Sequence, residues 1–323
     1  MPCFQVVQDP IVTPPLRTAV IGVGYLGRFH AQKYAAIDEA ELVAVVDINP
    51  ESAQRVAAEC DTAALYDYRD LFGKVDAVSV VVPTQLHHQV AKDCLEQGIH
   101  VLLEKPMTVT VAEADELIAI ARAKGLVLQI GHLERFNAAV LALDPVLTQP
   151  RFIESHRLAP FNPRGADVSV VLDLMIHDID LIQNLVRAPI KQIDANGAAV
   201  LTQDFDIVNA RITFENGCVA NVTASRVRVR PQRRMRLFQP DAYIIIDFQD
   251  KILSVHRKGN KEMFPGIAEI TSEESIFEKS DAILAEVRAF IAAVEQGSEP
   301  LVSGEDGRQA LHTAIRISEL LHL

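Results

Sequence analysis

The chain has 323 residues, of which 49% are hydrophobic, and its 43 acidic and 31 basic side chains give a formal net charge of −12. This length favours two domains, and this apolar content is enough to fill the core of each. The acidic balance argues against nonspecific binding to nucleic acid or to an anionic membrane, so we expect a small-molecule partner.

The cysteines Cys3, Cys60, Cys94 and Cys218 are scattered, without a C-x-x-C pair or a histidine at metal-ligand spacing. This pattern predicts a reduced compartment and no metal site. No apolar run approaches the roughly 20 residues of a membrane span, and the N-terminal stretch lacks the basic start and apolar core of a signal peptide. We therefore expect a cytoplasmic protein in which residues 1–16 form a loose N-terminal extension.

Short β-branched runs alternate with longer helical stretches through the first half of the chain. The predicted elements are strand 18–22, helix 26–37, strand 41–47, helix 51–60, strand 77–83, helix 87–97 and strand 100–104. Continuous apolar strands alternating with helices indicate a parallel sheet covered on both faces, with right-handed crossovers. The sequence therefore predicts an α/β chain whose residues 17–130 form a Rossmann domain with a doubly wound parallel sheet.

The glycine-rich sequence GVGYLG lies where the first predicted strand gives way to the first helix. In the pattern G-x-G-x-x-G, Gly22 permits the tight turn, Gly24 lets the backbone approach a phosphate, and Gly27 lets the helix pack on the strand. Free backbone N–H groups and the positive end of the helix can hold a pyrophosphate there. Together with Tyr25 and Leu26, these glycines are predicted to bind a dinucleotide.

Asp47 ends the second predicted strand, 20 positions after Gly27. A carboxylate at this place can accept hydrogen bonds from the ribose hydroxyls of a bound dinucleotide. The same carboxylate repels the 2′-phosphate of NADP, and no arginine follows directly in DINPES to hold that phosphate. The predicted cofactor is therefore NAD rather than NADP. Asp47 can also serve as a capping or turn residue, and the two roles are compatible.

Beyond Gly125 the hydrophobic pattern changes to alternation at period two, with hairpin signals such as Asn216-Gly217. The predicted elements are alternating stretches at 191–200, 206–230 and 235–257, preceded by a helix over 169–186 and followed by helices Asp281–Gln296 and Asp306–His322. The domain boundary is expected near 125–135. Residues 131–323 are predicted to form an α+β substrate and oligomerisation domain with a large, mostly antiparallel, open-faced sheet.

Several segments occur together in a characteristic order: GVGYLGRFHA, VVVPTQLHHQVA, GIHVLLEKPMTVTVAEADELI, GHLERFNAA and DLMIHDIDLI. The most specific are Glu104-Lys105-Pro106 at a strand end and the later pattern Asp-x-x-x-His formed by Asp173 and His177. Together they resemble the glucose-fructose oxidoreductase and inositol dehydrogenase (Gfo/Idh/MocA) family. The resemblance implies a Rossmann domain followed by an open-faced sheet domain, and NAD(P)-dependent oxidation of alcohol groups in sugars and cyclitols.

The resemblance also implies further cofactor contacts. By this comparison Pro83, Thr84 and His87 line the nicotinamide side of the cofactor, and Glu104 and Lys105 belong to the same binding surface. An alternative implied by some relatives is a cofactor-sensing regulator that keeps the fold without the chemistry. The complete set of catalytic residue types in this chain favours the enzyme.

On the predicted helix, Asp173, His177 and Asp180 lie at i, i+4 and i+7 and share one polar face, whereas Asp178 points elsewhere. Oxidising an alcohol requires a base for the hydroxyl proton, while nicotinamide accepts the hydride. We expect Lys105 and His177 to contact the reacting hydroxyl, with Asp173 holding them, and the residue that takes the proton stays open. The alternatives are a structural histidine and a solvated lysine at the strand end.

The segment RLAPFNPRGADVSVVLDLMIHDIDL resembles the branch of the family that oxidises the 3-hydroxyl of UDP-N-acetylglucosamine before amination, in making a lipid A precursor. A nucleotide sugar needs cations or N–H groups for its diphosphate. The predicted substrate-binding residues are Arg135, Arg157, Arg164 and Asp180. Each arginine is equally compatible with a surface ion pair, and an inositol or free-sugar dehydrogenase is the alternative function.

The single basic run, RVRVRPQRRMR, places Arg226, Arg228 and Arg230 on one face of a predicted strand. It could bind a phosphorylated ligand or an acidic partner surface, but we favour a solvated or subunit-facing sheet surface. A broad sheet face with apolar positions is normally covered. The sequence therefore predicts a homodimer or homotetramer formed through the open sheet face.

Overall fold

The computed structural model of the protein describes residues 14–162, 168–278 and 280–321. Its first sheet contains β1 (Leu16–Ile21), β2 (Ala40–Val46), β3 (Ala63–Leu65), β4 (Ala77–Val80), β5 (His100–Glu104) and β6 (Leu128–Gly131). All pairings are parallel, in the order β3-β2-β1-β4-β5-β6. The connecting helices are α1 (Tyr25–Tyr34), α2 (Pro50–Cys60), α3 (Thr84–Glu96) and α4 (Val111–Lys124). The predicted doubly wound Rossmann sheet is confirmed.

The second sheet has eight strands, and it confirms the predicted α+β character of the second half. They are β7 (Phe152–Leu158), β8 (Ile190–Ala198), β9 (Ile207–Phe214), β10 (Val219–Ser225), β11 (Gln232–Gln239), β12 (Ala242–Asp247), β13 (Ile252–Phe264) and β14 (Ile267–Ile276). The order is β14-β13-β12-β11-β7-β10-β9-β8, with a single parallel pair, β7 and β10. The sequence did not predict β7, which precedes the long helix yet lies in the middle of the sheet.

Four further α-helices follow β6 in the chain. They are α5 (Ala138–Leu141), α6 (Ile176–Val186), α7 (Ala282–Gln296) and α8 (Gly304–Leu320), and a π-helical turn, Val171–Met175, leads directly into α6. Ile179 and Ile182 of α6 are fully buried in one apolar cluster with the inner faces of β9 and β10. The helix therefore covers one face of the sheet.

The last helices return to the Rossmann sheet, which the order of the elements did not indicate. Phe290 of α7 is fully buried in one cluster with Leu102 of β5 and Tyr34 of α1. On the other face, Leu311 of α8 belongs to the cluster that contains Leu117 of α4. The predicted domain boundary near residue 130 stays a prediction, because α7 and α8 pack against the first sheet as well as following the second.

The basic run does not form the strand that its alternation suggested. β10 ends at Ser225 and β11 begins at Gln232, so Arg228 and Arg230 lie exposed in the connecting turn. Arg226 is buried and donates from Nε to Asp206 Oδ1 at 2.8 Å. The prediction that the three arginines share one strand face is wrong, because the chain turns here and the buried carboxylate draws Arg226 inward.

The face of the second sheet opposite α6 carries a row of stacked rings. Phe238 and Tyr243 stack with centroids 4.7 Å apart, and Tyr243 stacks on His256 at 5.5 Å. Assembly of a homodimer or homotetramer through this face stays a prediction. Within the described residues, every helix is too short or too polar to cross a membrane. Most of the N-terminal extension lies outside the described residues.

Candidate active site

The turn between β1 and α1 has the geometry of a phosphate cradle. Gly22 has φ +87°, and a Cβ there would lie 2.6 Å from the Val81 carbonyl oxygen. A Cβ on Gly27 would lie 1.9 Å from the Gly22 carbonyl oxygen, so packing requires both glycines. Gly24 faces open space and begins a helix without a side-chain cap, which leaves the first N–H groups of α1 available to an anion.

Asp47 lies directly beside this turn. One carboxylate oxygen accepts from the Val23 N–H at 2.9 Å and the other accepts from the Asn49 N–H at 2.9 Å. The side chain of Asn49, rather than that of Asp47, caps α2. Asp47 therefore joins the glycine turn to the end of β2 and places its half-buried carboxylate at the rim of the cradle. Tyr25 is exposed beside it and Leu26 is half-buried.

His87 does not have the predicted position against the cofactor. Its side chain is 1% exposed, Nδ1 lies 2.8 Å from the Pro106 carbonyl oxygen, and Nε2 lies 2.8 Å from the Val82 carbonyl oxygen. The ring therefore lies between the end of β4 and the turn after β5, where its neutral form donates to one of the two carbonyls, and burial lowers its pKa. The residues that begin α3 at the carboxyl edge, Pro83 and Thr84, remain accessible, the first exposed and the second half-buried.

Lys105 follows β5 and reaches across to the second part of the chain. Its Nζ donates to the Asp173 carbonyl oxygen at 2.9 Å and to Asp173 Oδ1 at 3.2 Å, and the Lys105–Pro106 peptide bond is cis. Asp173 lies in the π-helical turn, and its side chain is 48% exposed. This contact brings two of the predicted catalytic residues together at the carboxyl edge of the Rossmann sheet, where ligands of open α/β folds bind.

His177 lies one turn further along the same helix and is half-buried. Within the described part of the chain its Nδ1 is buried without a hydrogen-bond partner, and its ring meets that of His132 edge to face at 6.5 Å. Burial holds the pKa of His177 well below its usual value, and the positive charges of Lys105 and Arg157 act in the same direction. The imidazole is therefore neutral at neutral pH, with one unprotonated ring nitrogen.

Two of the predicted substrate ligands are paired inside the protein. Arg135 donates from Nε and Nη2 to both oxygens of Asp180, at 2.7 and 2.8 Å, and both side chains are at most 5% exposed. The prediction that these residues contact substrate does not agree with this arrangement. Because the π-helical turn inserts an extra residue in the helical repeat, Asp173 and Asp180 do not share one exposed face.

Arg157 is buried in a second ion pair. Its Nε donates to Asp178 Oδ2 at 2.7 Å and its Nη1 donates to Glu134 Oε1 at 2.9 Å, with 4% of the side chain exposed. These bonds fix β7 to α6 and to the segment after β6, so Arg157 is also not free to hold a diphosphate. Arg164 lies outside the described residues.

A buried acidic cluster beneath the Lys105 turn was missed at the level of the sequence. The ligand atoms of His30, Glu104 and Glu286 all lie within 4.8 Å of one another. Glu104 is 8% exposed, which corrects its prediction as a cofactor contact, and its carboxylate accepts from the Lys105 N–H at 3.2 Å. Burial and the charge of Glu104 raise the pKa of Glu286 well above its usual value. Two carboxylates and an imidazole could also ligate a divalent cation.

Comparison with known proteins finds two family models along the chain. "Oxidoreductase family, NAD-binding Rossmann fold" matches residues 16–132, and "GFO/IDH/MocA C-terminal domain" matches residues 146–244. The UDP-N-acetylglucosamine 3-dehydrogenase of Acidithiobacillus ferrooxidans is 43% identical over 303 residues, covering 94% of this chain and 96% of that protein. The myo-inositol 2-dehydrogenase of Thermotoga maritima is 25% identical over 320 residues, covering 92% and 93% of the two chains.

Solved structures of a 3-dehydrogenase and of a cyclitol dehydrogenase superpose on this chain. A structure of the Acidithiobacillus ferrooxidans UDP-N-acetylglucosamine 3-dehydrogenase superposes with a TM-score of 0.90 at 42% identity, covering 95% of this chain and 97% of the other. The scyllo-inositol dehydrogenase of Lactobacillus casei, solved with bound NAD(H) and scyllo-inositol, superposes with a TM-score of 0.79 at 21% identity, covering 95% and 97% of the two chains. The second likeness shows the shared fold.

Proposed function

This chain belongs to the GFO/IDH/MocA oxidoreductase family, and on that premise we propose that it oxidises the 3-hydroxyl of UDP-N-acetylglucosamine with NAD as hydride acceptor. The observation that carries the proposal is the contact of Lys105 Nζ with Asp173, one helical turn from the neutral His177. The substrate is taken from the similarity to the 3-dehydrogenase that is 43% identical over nearly the whole chain. The cyclitol dehydrogenases are more distant relatives.

The residues at the β1 turn fit a dinucleotide. The open surface at Gly24 and the uncapped start of α1 suit a pyrophosphate, and the carboxylate of Asp47 suits the ribose hydroxyls. When bound, NAD supplies the nicotinamide carbon that accepts the hydride. We propose NAD rather than NADP, because Asp47 repels a 2′-phosphate and is followed by Ile48, Asn49 and Pro50, none of which can neutralise one.

Lys105 and His177 have complementary hydrogen-bonding capacities in the proposed reaction. The ammonium of Lys105 has three N–H donors, and bonds to Asp173 leave a donor for the substrate hydroxyl oxygen. His177 is the proposed base, because a neutral imidazole can take the hydroxyl proton. The C3–H bond breaks with its electron pair, the O–H proton moves to His177, and the sugar is left as the 3-ketone.

The test follows NADH absorbance with purified protein, NAD and one of three substrates: UDP-N-acetylglucosamine, free N-acetylglucosamine or myo-inositol. We expect the highest kcat/KM with the UDP-sugar, at a rate that rises when an aminotransferase consumes the ketone. Turnover of myo-inositol or a free sugar, without turnover of any UDP-sugar, would overturn the substrate assignment and leave the chain a dehydrogenase.

A further inference from the structure

The diphosphate of a nucleotide sugar is bound well by cations, yet Arg135 and Arg157 are already engaged with carboxylates. The basic run of the sequence has no part in the function proposed above. We propose that Arg233 binds the diphosphate of the nucleoside diphosphate-sugar, and that Arg228 and Arg230 attract it from the adjoining turn. This inference rests on the proposed function, because it assigns the group that holds that substrate.

The neighbouring central strands β11, β7 and β10 have their ends side by side, where β7 and β10 finish and β11 begins. Leu158 at the end of β7 is in register with both Ser225 of β10 and Gln232 of β11. The Ala159 N–H donates to the Ser225 carbonyl oxygen at 2.7 Å, and the Arg228 N–H donates to the Ala159 carbonyl oxygen at 3.0 Å. These backbone bonds hold the turn between β10 and β11 at these strand ends, so its arginines have a defined place.

Arg233 lies on the face of the sheet that α6 covers. It is directly opposite Arg157 in the antiparallel pairing of β11 with β7, and opposite residues in such a pair project to the same face. On that face Arg157 bonds to Asp178, the residue after His177. Arg233 is exposed, and its charge is among those that lower the pKa of His177. A cation accessible to a ligand therefore lies near the proposed base.

A cavity of about 200 Å³ connects the catalytic turn with these strand ends. Its lining includes Val170 and Asp173 from the start of the helix, and Ala159 and Arg226 from the ends of β7 and β10. A sugar placed beside Asp173 therefore shares this cavity with Arg226, the first residue of the turn that carries Arg228 and Arg230. A nucleotide sugar is long enough to need such an extension of the site, whereas a cyclitol is not.

The exposed arginines differ from the other arginines around the cleft in their partners. Arg226 pairs with Asp206 at 2.8 Å, whereas in the described part of the chain no carboxylate oxygen lies within 4.0 Å of the side chains of Arg228, Arg230 and Arg233. Like charges without a nearby carboxylate repel one another. A diphosphate relieves that repulsion, and a guanidinium can bind phosphate oxygens through two parallel N–H bonds.

Calorimetric titration of UDP into the protein with NADH present tests this assignment. The Kd for UDP is expected to rise about 10- to 100-fold in Arg233→Ala, because bonds to a charged group are lost. Arg233→Lys should recover part of the affinity for UDP, since lysine keeps the positive charge but lacks the two parallel N–H donors of a guanidinium. Arg236→Ala is the matched control: Arg236 is on the opposite face of the same strand, in a half-exposed pair with Glu154, and its loss should change Kd less than about twofold.

The possible outcomes separate this inference from the proposed function. Unchanged UDP affinity in Arg233→Ala, or no binding of UDP by the wild-type protein, overturns the assignment of Arg233. NADH formation from UDP-N-acetylglucosamine is measured in parallel. Turnover by the wild type with an unchanged KM in Arg233→Ala rejects the inference and keeps the function. UDP binding that depends on Arg233 without oxidation of the sugar supports the inference and rejects the proposed reaction.

Discussion

The cofactor cradle and the substrate side of the cleft are built in opposite ways. The cradle is formed by one continuous stretch, from Gly22 to Asp47, and uses backbone N–H groups and one carboxylate. The substrate side combines Lys105, which follows β5, with His177 of α6 and Arg233 of β11. A local site is determined by local residues, whereas a site assembled from distant elements depends on which side chains find partners during folding.

Removing the catalytic side chains should have the largest effect and should leave the cradle intact. We expect Lys105→Met and His177→Ala each to lower kcat by roughly 10²-fold or more, the usual contribution of a positioned acid or base. Because neither change touches the glycine turn, the affinity for NADH, measured by fluorescence, should stay near that of the wild type. Lys92→Met and His88→Ala are the controls, as both residues contact Glu116 on the helix surface. An unchanged kcat in either active-site variant would remove that residue from the mechanism.

A methyl group in the cofactor cradle should weaken the binding of NAD and leave the catalytic step unchanged. Gly24 has an ordinary φ and open space around its Cβ position, so Gly24→Ala should keep the free energy of unfolding and occupy the space of the pyrophosphate. The KM for NAD should rise about tenfold, equivalent to the loss of one or two hydrogen bonds, with kcat nearly constant at saturating NAD. A normal KM for NAD would show that the pyrophosphate lies elsewhere.

Asp47 should determine the choice of cofactor and have no effect on the choice of sugar. In Asp47→Ser the ratio of kcat/KM for NAD to that for NADP should fall by about tenfold, because a like-charge contact is removed. Glu51→Gln removes a neighbouring exposed charge without touching the turn and is the control. The interpretation of Asp47 fails if the wild-type protein has the higher kcat/KM with NADP.

The two regions also differ in how far the sequence predicts them. The parallel, doubly wound sheet and the glycine turn could be predicted because burial on both faces gives continuous apolar strands and because Gly27 has no room for a side chain. The arginines could not be assigned, because composition does not say that Arg135 meets Asp180. The predicted shared face of Asp173, His177 and Asp180 also failed at Asp180, which is buried against Arg135. The spacing of residues in the sequence predicts neither the ion pair of Arg135 nor the burial of Asp180.

A substitution in the buried cluster of His30, Glu104 and Glu286 should have the smallest effect, and it should change stability rather than activity. The folded-state pKa of Glu286 is raised, so the folded protein binds a proton that the unfolded chain releases, and stability falls as pH rises above the usual pKa of a glutamate. Because glutamine does not ionise, Glu286→Gln removes this fall in stability with rising pH. In urea unfolding it should be more stable than the wild type at pH 8, by an amount of order 1 kcal/mol or more that shrinks towards pH 5. The exposed Glu295→Gln on the same helix is the control. A difference that does not vary with pH would mean that Glu286 is not protonated.

The most direct test of the proposed oxidation uses UDP-N-acetylglucosamine that carries deuterium at C3. If the 3-hydroxyl is oxidised at the Lys105 and His177 site, the deuterium moves to the nicotinamide ring, and proton NMR of the product shows singly deuterated NADH together with a slower chemical step. NADH that forms without deuterium would place the oxidation at another carbon and contradict the proposed reaction.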